Sequence, residues 1–167
     1  DSWASRGLGD VYKRQVKRVI IKSSAGFPYF TQLLALKSAE EAIAKDSSEV
    51  TMSEFKIAVK RAVDDIEGEL REKYQLAVYG QKTERNKNIL LAAAICGEDI
   101  FEAAQLKNNY SKVTGETISQ QELNNFLSNT IISDGYSTIL RRVGKGIYIF
   151  NDPRMPSLIK LINNYVE

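Results

Sequence analysis

The stretch from Ser119 to Asp152 limits most sharply what this chain can become. Ser119-Gln120-Gln121-Glu122 is a capping box. Its Ser hydroxyl can satisfy one of the orphan N–H groups at a helix start, while the Glu carboxylate reaches back to the cap's own N–H. Ile118 before the box and Leu123 after it form a hydrophobic staple. Leu123, Phe126, Leu127 and Thr130 then recur on one face of a short helix, and Ser133-Asp134-Gly135 breaks it. Two β-branched and aromatic runs follow around Gly144-Lys145-Gly146, which predicts a hairpin. In its first strand Ile139, Arg141 and Val143 alternate with Leu140 and Arg142, so the two arginines point to opposite faces. Pro153 has no N–H to give a ladder, and Asn151-Asp152-Pro153 ends the second strand.

Upstream, Ile89, Leu90, Leu91, Ile95 and several alanines predict a helix that is apolar on most sides, hence central. Asp99-Ile100-Phe101 predicts the turn into a second helix, with Ala103, Leu106, Tyr110 and Val113 on one face and Gly115 at its end. A last helix from Pro156 to about Tyr165 carries Leu158, Ile159, Leu161 and Ile162. Three helices closed by a hairpin between Glu84 and Asp152 make the pattern of a winged helix-turn-helix domain, assigned to residues 84–167.

Residues 16–83 read as a helical lead-in. Val16–Lys22 is too short to assign alone and reads as the tail of a truncated helix. Ser23–Tyr29 is turn material in which Gly26 can take positive φ, and Pro28 suits the first turn of the next helix because its missing N–H costs nothing there. That helix runs to about Lys45, with Phe30, Leu33, Leu34 and Ile43 as its apolar contacts, before Asp46-Ser47-Ser48 ends it. A second capping box, Thr51-Met52-Ser53-Glu54, opens a helix whose apolar positions Phe55, Val59, Ala62, Val63, Ile66, Leu70 and Tyr74 keep a helical period as far as Tyr79-Gly80. Polar Gln81–Asn86 is the joint between the two parts. The fold class expected is mainly α, an α+β chain with a helical segment followed by a winged helix.

Charge and composition narrow the function classes. The 167 residues carry 23 Lys and Arg against 21 Asp and Glu. Residues 84–167 hold nine of each, so a basic surface there must come from local clustering. There is no His, which removes His-based acid–base chemistry and most zinc sites. The one Cys96 sits in the apolar run Ile89–Cys96 and reads as a small core residue. A lone cysteine excludes an internal disulfide and fits a reducing cytoplasm. No apolar run approaches the ~18 residues of a membrane span. Asn109-Tyr110-Ser111 is a chance match to a glycosylation acceptor. Gly80-Gln81-Lys82-Thr83 lacks both the spacing and the preceding strand of a phosphate-binding loop. Asp64, Asp65, Glu67 and Glu69 are spread around a helix with basic residues nearby, and form no metal cage. The expectation is a binding protein without catalysis, resident cofactor, metal, small-molecule substrate or membrane contact.

The candidate binding residues follow from the winged-helix pattern, in which the third helix enters the major groove and the wing touches phosphate. Gln120, Gln121, Asn124 and Asn125 form the polar face of that helix, and Asn and Gln side chains can contact adenine through two bonds. The bland alternative is a solvated amide face, since the helix carries no Lys or Arg and Glu122 repels phosphate unless its cap holds it aside. Arg141, Arg142 and Lys145 of the hairpin, helped by Lys107 and Lys112, are candidates for phosphate contact, against the alternative of a solvated hairpin.

Two segments carry a resemblance. Ser24–Leu34 (SAGFPYFTQLL) is similar to the start of the lid helix bearing the "sensor 2" motif of AAA+ ATPases of the initiator, origin-recognition-like kind or the related STAND type. Leu140–Met155 resembles the wing and exit of their C-terminal winged helix. The resemblance covers about residues 16–165 and implies a bacterial-type parent whose ATP and Mg²⁺ are bound by an ATPase domain upstream, since the Walker segments are absent here. Tyr29 stands where such proteins place a γ-phosphate-sensing Arg. Duplex DNA is the partner implied. The alternative is a protein–protein or intramolecular clamp on the parent ATPase domain, and a stand-alone transcription regulator is a further reading. Residues 5–15 (SRGLGDVYKRQ) resemble the in-frame translation of a transposase-type sequencing adapter, so residues 1–15 are expected to be a non-native tail that adds nothing to the core.

Overall fold

The computed structural model describes residues 9, 11–24, 27–66, 68–97, 99–132 and 139–165, with the side chains of 130–132 left out. The chain is mainly helical, with one small antiparallel sheet. It divides into two compact units, Asp1–Ile66 with Leu161–Glu167, and Glu67–Lys160.

In the first unit, α1 (Arg14–Ser24), α2 (Pro28–Ala44) and α3 (Met52–Asp65) pack on one another. Pro28 opens α2 as its sequence position predicts. Phe30 and Leu34 are completely buried. Ile43, expected to share that role, is 75% exposed, because it falls on the side of α2 turned away from α1 and α3. The box at Thr51 forms: the Thr51 N–H donates to Glu54 Oε2 at 2.8 Å, and the Thr51 side chain accepts from the Glu54 backbone. Phe55, Ala58, Val59 and Ala62 line the buried face of α3.

Val16–Lys22 belongs to a full helix, with Val16 and Ile20 completely buried. Residues 11–15 place no side chain in the buried core, as expected, yet residues 11–13 are tied in by Lys13 N–H to the Val50 carbonyl (3.0 Å), Val50 N–H to the Val11 carbonyl (3.0 Å) and the Tyr12 hydroxyl to the Ala35 carbonyl (2.8 Å). Backbone N–H and C=O groups pair wherever a partner is offered, whatever the origin of the segment. Residues 1–8 and 10, and Gly26 with its expected positive φ, lie outside the described residues.

The single long helix expected from Thr51 to Tyr79 is two. The backbone of Ile66 is extended (φ −69°, ψ 142°), which ends α3, and α4 (Gly68–Val78) starts afresh. Ile66, Leu70 and Tyr74 are all buried, so the apolar spacing survives a break that it cannot reveal.

In the second unit α4 packs on α5 (Thr83–Ile95), and Asn86 Nδ2 donates to the carbonyl of Val78 at 3.3 Å, satisfying one of the orphan acceptors at the end of α4. Ile89 to Ala94 are buried without interruption, as expected for a central helix. A strand, β1 (Phe101–Glu102), stands where only a turn into helix was expected. It leads directly into α6 (Ala103–Thr114), closed by Gly115 at φ 75°, a left-handed position that glycine takes without steric cost. Next come α7 (Gln120–Ile132), β2 (Leu140–Gly144), β3 (Ile147–Phe150) and α8 (Met155–Ile162), which ends three residues before the expected Tyr165. The sheet order is β1-β3-β2. Phe101 lies opposite Tyr148, with ring centroids at 6.2 Å to Tyr148 and 6.0 Å to Phe150. This pairing between residues remote in sequence leaves no periodic trace around Phe101, which is why the strand escapes a local reading. The break expected at Ser133-Asp134-Gly135 lies outside the described residues.

Candidate nucleic-acid interface

The helix that carries the amide candidates is built from its cap. Glu122 N–H donates to Ser119 Oγ (3.1 Å), and Ser119 N–H donates to Glu122 Oε2 (3.2 Å). Ile118 and Leu123 are buried on either side of this box, and Phe126 and Leu127 continue the buried face. The amides lie off that face: Gln120, Gln121, Asn124 and Asn125 are all exposed.

Glu122 is held by more than its cap. Arg85 Nη1 of α5 lies 3.3 Å from Glu122 Oε1. The backbone N–H and hydroxyl of Ser119, then Arg85, keep the Glu122 carboxyl below the usual carboxylate range. The charge expected to oppose phosphate is therefore engaged at the helix start.

Lys107 of α6 supplies the cation that α7 lacks. Its Nζ donates to Gln120 Oε1 at 3.0 Å, and Gln120 Nε2 donates to Asn124 Oδ1 at 2.9 Å. This chain fixes two of the four amides in direction. Asn124 keeps its Nδ2 donors and one Oδ1 lone pair for another partner, the donor-and-acceptor set that adenine requires. Gln121 and Asn125 have no hydrogen-bond partner among the described residues.

In the hairpin, Arg141 lies opposite Ile149 and Arg142 opposite Tyr148. The opposite-facing arginines expected from alternation are present, and both are exposed. A register shift between Arg142 and Gly144 kinks β2 at Val143. Arg142 Nε donates to the Gly144 carbonyl at 3.1 Å across that kink. The side chains of Arg141 and Lys145 have no ion-pair or hydrogen-bond partner among the described residues. Lys145 sits in the turn before Gly146, whose φ of 71° lies in the left-handed region. Since α7 packs against β2, one packed layer supports both the amide helix and the hairpin.

Lys107 thus joins the amides, whereas Arg141, Arg142 and Lys145 stay with the hairpin, where Arg142 bonds only its own strand. Arg85 is a participant that the sequence pattern does not single out, and only its place on the helix facing the Ser119 box identifies it. Cys96, expected in the core, is half-buried at the end of α5, where Asn109 Nδ2 donates to its sulfur at 3.2 Å and burial raises the thiol's pKa. Tyr29 donates its hydroxyl to the Asp65 carbonyl at 3.3 Å and stands edge-on to Phe30. Among the described residues there is no group of three or more potential metal ligands, and no helix is long and apolar enough to cross a membrane.

Comparison with protein-family models, with curated proteins and with solved structures finds no match for this chain.

Proposed function

We propose that this chain is a non-catalytic C-terminal part of an AAA+/P-loop ATPase of the initiator or STAND type, acting in the cytoplasm, whose second unit contains a winged helix that binds duplex DNA. The observation that carries the reading is the order helix, short strand, two helices and hairpin, with the short strand pairing on the far strand of the hairpin. That strand was not part of the sequence pattern, so it supports the reading independently. In this reading Gln120, Gln121, Asn124 and Asn125 face base edges, and Arg141, Arg142 and Lys145 face phosphates, so that the amides specify and the cations position. ATP and Mg²⁺ belong to the parent's ATPase domain.

A second reading is favoured by a specific observation: α7 carries no Lys or Arg, and Val143 at the kink of the hairpin is 49% exposed. A hairpin with an apolar edge also suits a clamp on the parent's ATPase domain. Fluorescence anisotropy with a duplex of mixed sequence separates the two. Salt-dependent binding that weakens on replacing Arg141 and Lys145 supports DNA, and no duplex binding at ~50 mM salt supports the clamp.

A further inference from the structure

The first unit carries a row of charge that the proposed function does not use. Helix α1 holds Arg14, Lys17, Arg18 and Lys22 and no acidic residue. At about 100° per residue these four fall within an arc of about 140°, opposite the buried Val16, Ile20 and Ser23. Arg14, Arg18 and Lys22 are exposed and Lys17 is half-buried. No side chain of the four has an ion-pair or hydrogen-bond partner among the described residues.

Five described carboxylates of the same unit are engaged elsewhere. Lys37 holds Asp65 at 2.7 Å and Glu40 at 3.4 Å, Arg61 holds Glu41, Lys45 lies 3.7 Å from Glu54, and Lys13 holds Glu49 at 3.0 Å. Acidic residues on α2 and α3 are thus matched to cations, whereas α1 carries cations alone, with no ion-pair partner among the described residues. Like charges at i, i+4 repel and cost helix stability, so the row stands at a cost that an external polyanion would remove.

We propose that the α1 row is a second docking surface for duplex nucleic acid, one that grips the phosphate backbone without reading sequence. From Arg14 to Lys22 the helix rises about 12 Å, and a duplex presents roughly seven phosphate charges over that length. An anionic membrane is the poorer occupant, because interfacial helices bury an apolar face in lipid. The apolar face of α1 is already used, with Val16 and Ile20 completely buried. The proposal does not rest on the wing reading, since it concerns different residues in a different unit.

The test is a salt titration of the full chain against a mixed-sequence duplex, comparing wild type with Lys17→Gln/Arg18→Gln/Lys22→Gln. Arg14 is left in place because it lies in the adapter-like stretch. The log–log salt slope should flatten by about 2 to 3, at ~0.9 for each phosphate no longer neutralised, with affinity at least about tenfold weaker. Lys17→Arg/Lys22→Arg should keep the wild-type slope, which separates removal of charge from loss of folding. Vesicles containing phosphatidylserine should be retained weakly and equally by wild type and triple variant. An unchanged slope in the triple variant, absence of duplex binding by the wild type, or a charge-dependent loss confined to the vesicles would each overturn the proposal.

Discussion

Helix α1 and the β2–β3 hairpin both present cations without an ion-pair partner among the described residues, yet they hold them by different means. The row on α1 needs only a helix anchored through Val16 and Ile20. The hairpin stands in a sheet: Phe101 pairs with Tyr148 and packs against Phe150, closing the β3 side of the hairpin that carries Arg141 and Lys145. Local structure thus positions the one cluster and tertiary pairing the other. A net charge of only +2 conceals both, because acidic residues elsewhere in the chain balance them. Net charge is a poor guide wherever charge is segregated within a unit.

The largest expected effect follows from that dependence. Phe101→Ala should cost roughly 3–5 kcal/mol, the usual range for a buried aromatic, read by urea unfolding, and should abolish any effect of the wing cations on binding. The α1 triple variant should still change the salt slope in the Phe101→Ala background under conditions where the first unit is folded. An equal loss of both effects would erase the contrast between the clusters.

A smaller effect sharpens the comparison within the second unit. Replacing Asn124 and Asn125 with Ala should reduce discrimination between matched and mismatched duplexes by about 1–3 kcal/mol per base pair read, while the salt slope stays unchanged. Binding-site selection followed by titration of the preferred and scrambled duplexes measures both quantities.

The smallest effects concern the two capping boxes, one in each unit. Thr51→Ala and Ser119→Ala should each cost about 1 kcal/mol in chemical unfolding. Their acid sensitivity has the same sign. Hydrogen bonds from the Thr51 side chain, and then from backbone N–H groups, lower the Glu54 pKa, and those from Ser119 lower that of Glu122. A carboxylate whose folded pKa lies below its unfolded one contributes fully above the unfolded value, near 4.3, and loses that contribution as pH falls through the lower folded value. Unfolding midpoints should therefore decline below about pH 4.3, and the decline should be shallower in Glu54→Gln.

Both boxes were legible in the sequence because each is complete within four residues. The hairpin was legible for the same reason, through its alternation and its Gly-Lys-Gly turn. The strand at Phe101 was not, because its partner Tyr148 is remote in sequence and two residues carry no period. The break at Ile66 was hidden by apolar positions that stay in phase across it. At the candidate interface the residue types could be read but their engagements could not. Arg142 turns back to Gly144 because the strand kinks between them, and Lys107 reaches Gln120 from a neighbouring helix. An expectation that structure begins only after residue 15 divides the α1 row, and it separates Arg14 from Lys17, Arg18 and Lys22 on what is one helix.

The most direct test of a DNA-binding winged helix is a salt titration of duplex affinity for wild type and Arg141→Ala/Lys145→Ala. The side chains of these two hairpin cations have no partner among the described residues. The wing reading predicts measurable wild-type binding at ~50 mM salt and a log–log slope flattened by about 1.8 in the double variant, at ~0.9 per phosphate. Identical slopes for the two proteins, or no duplex binding by either, would contradict it.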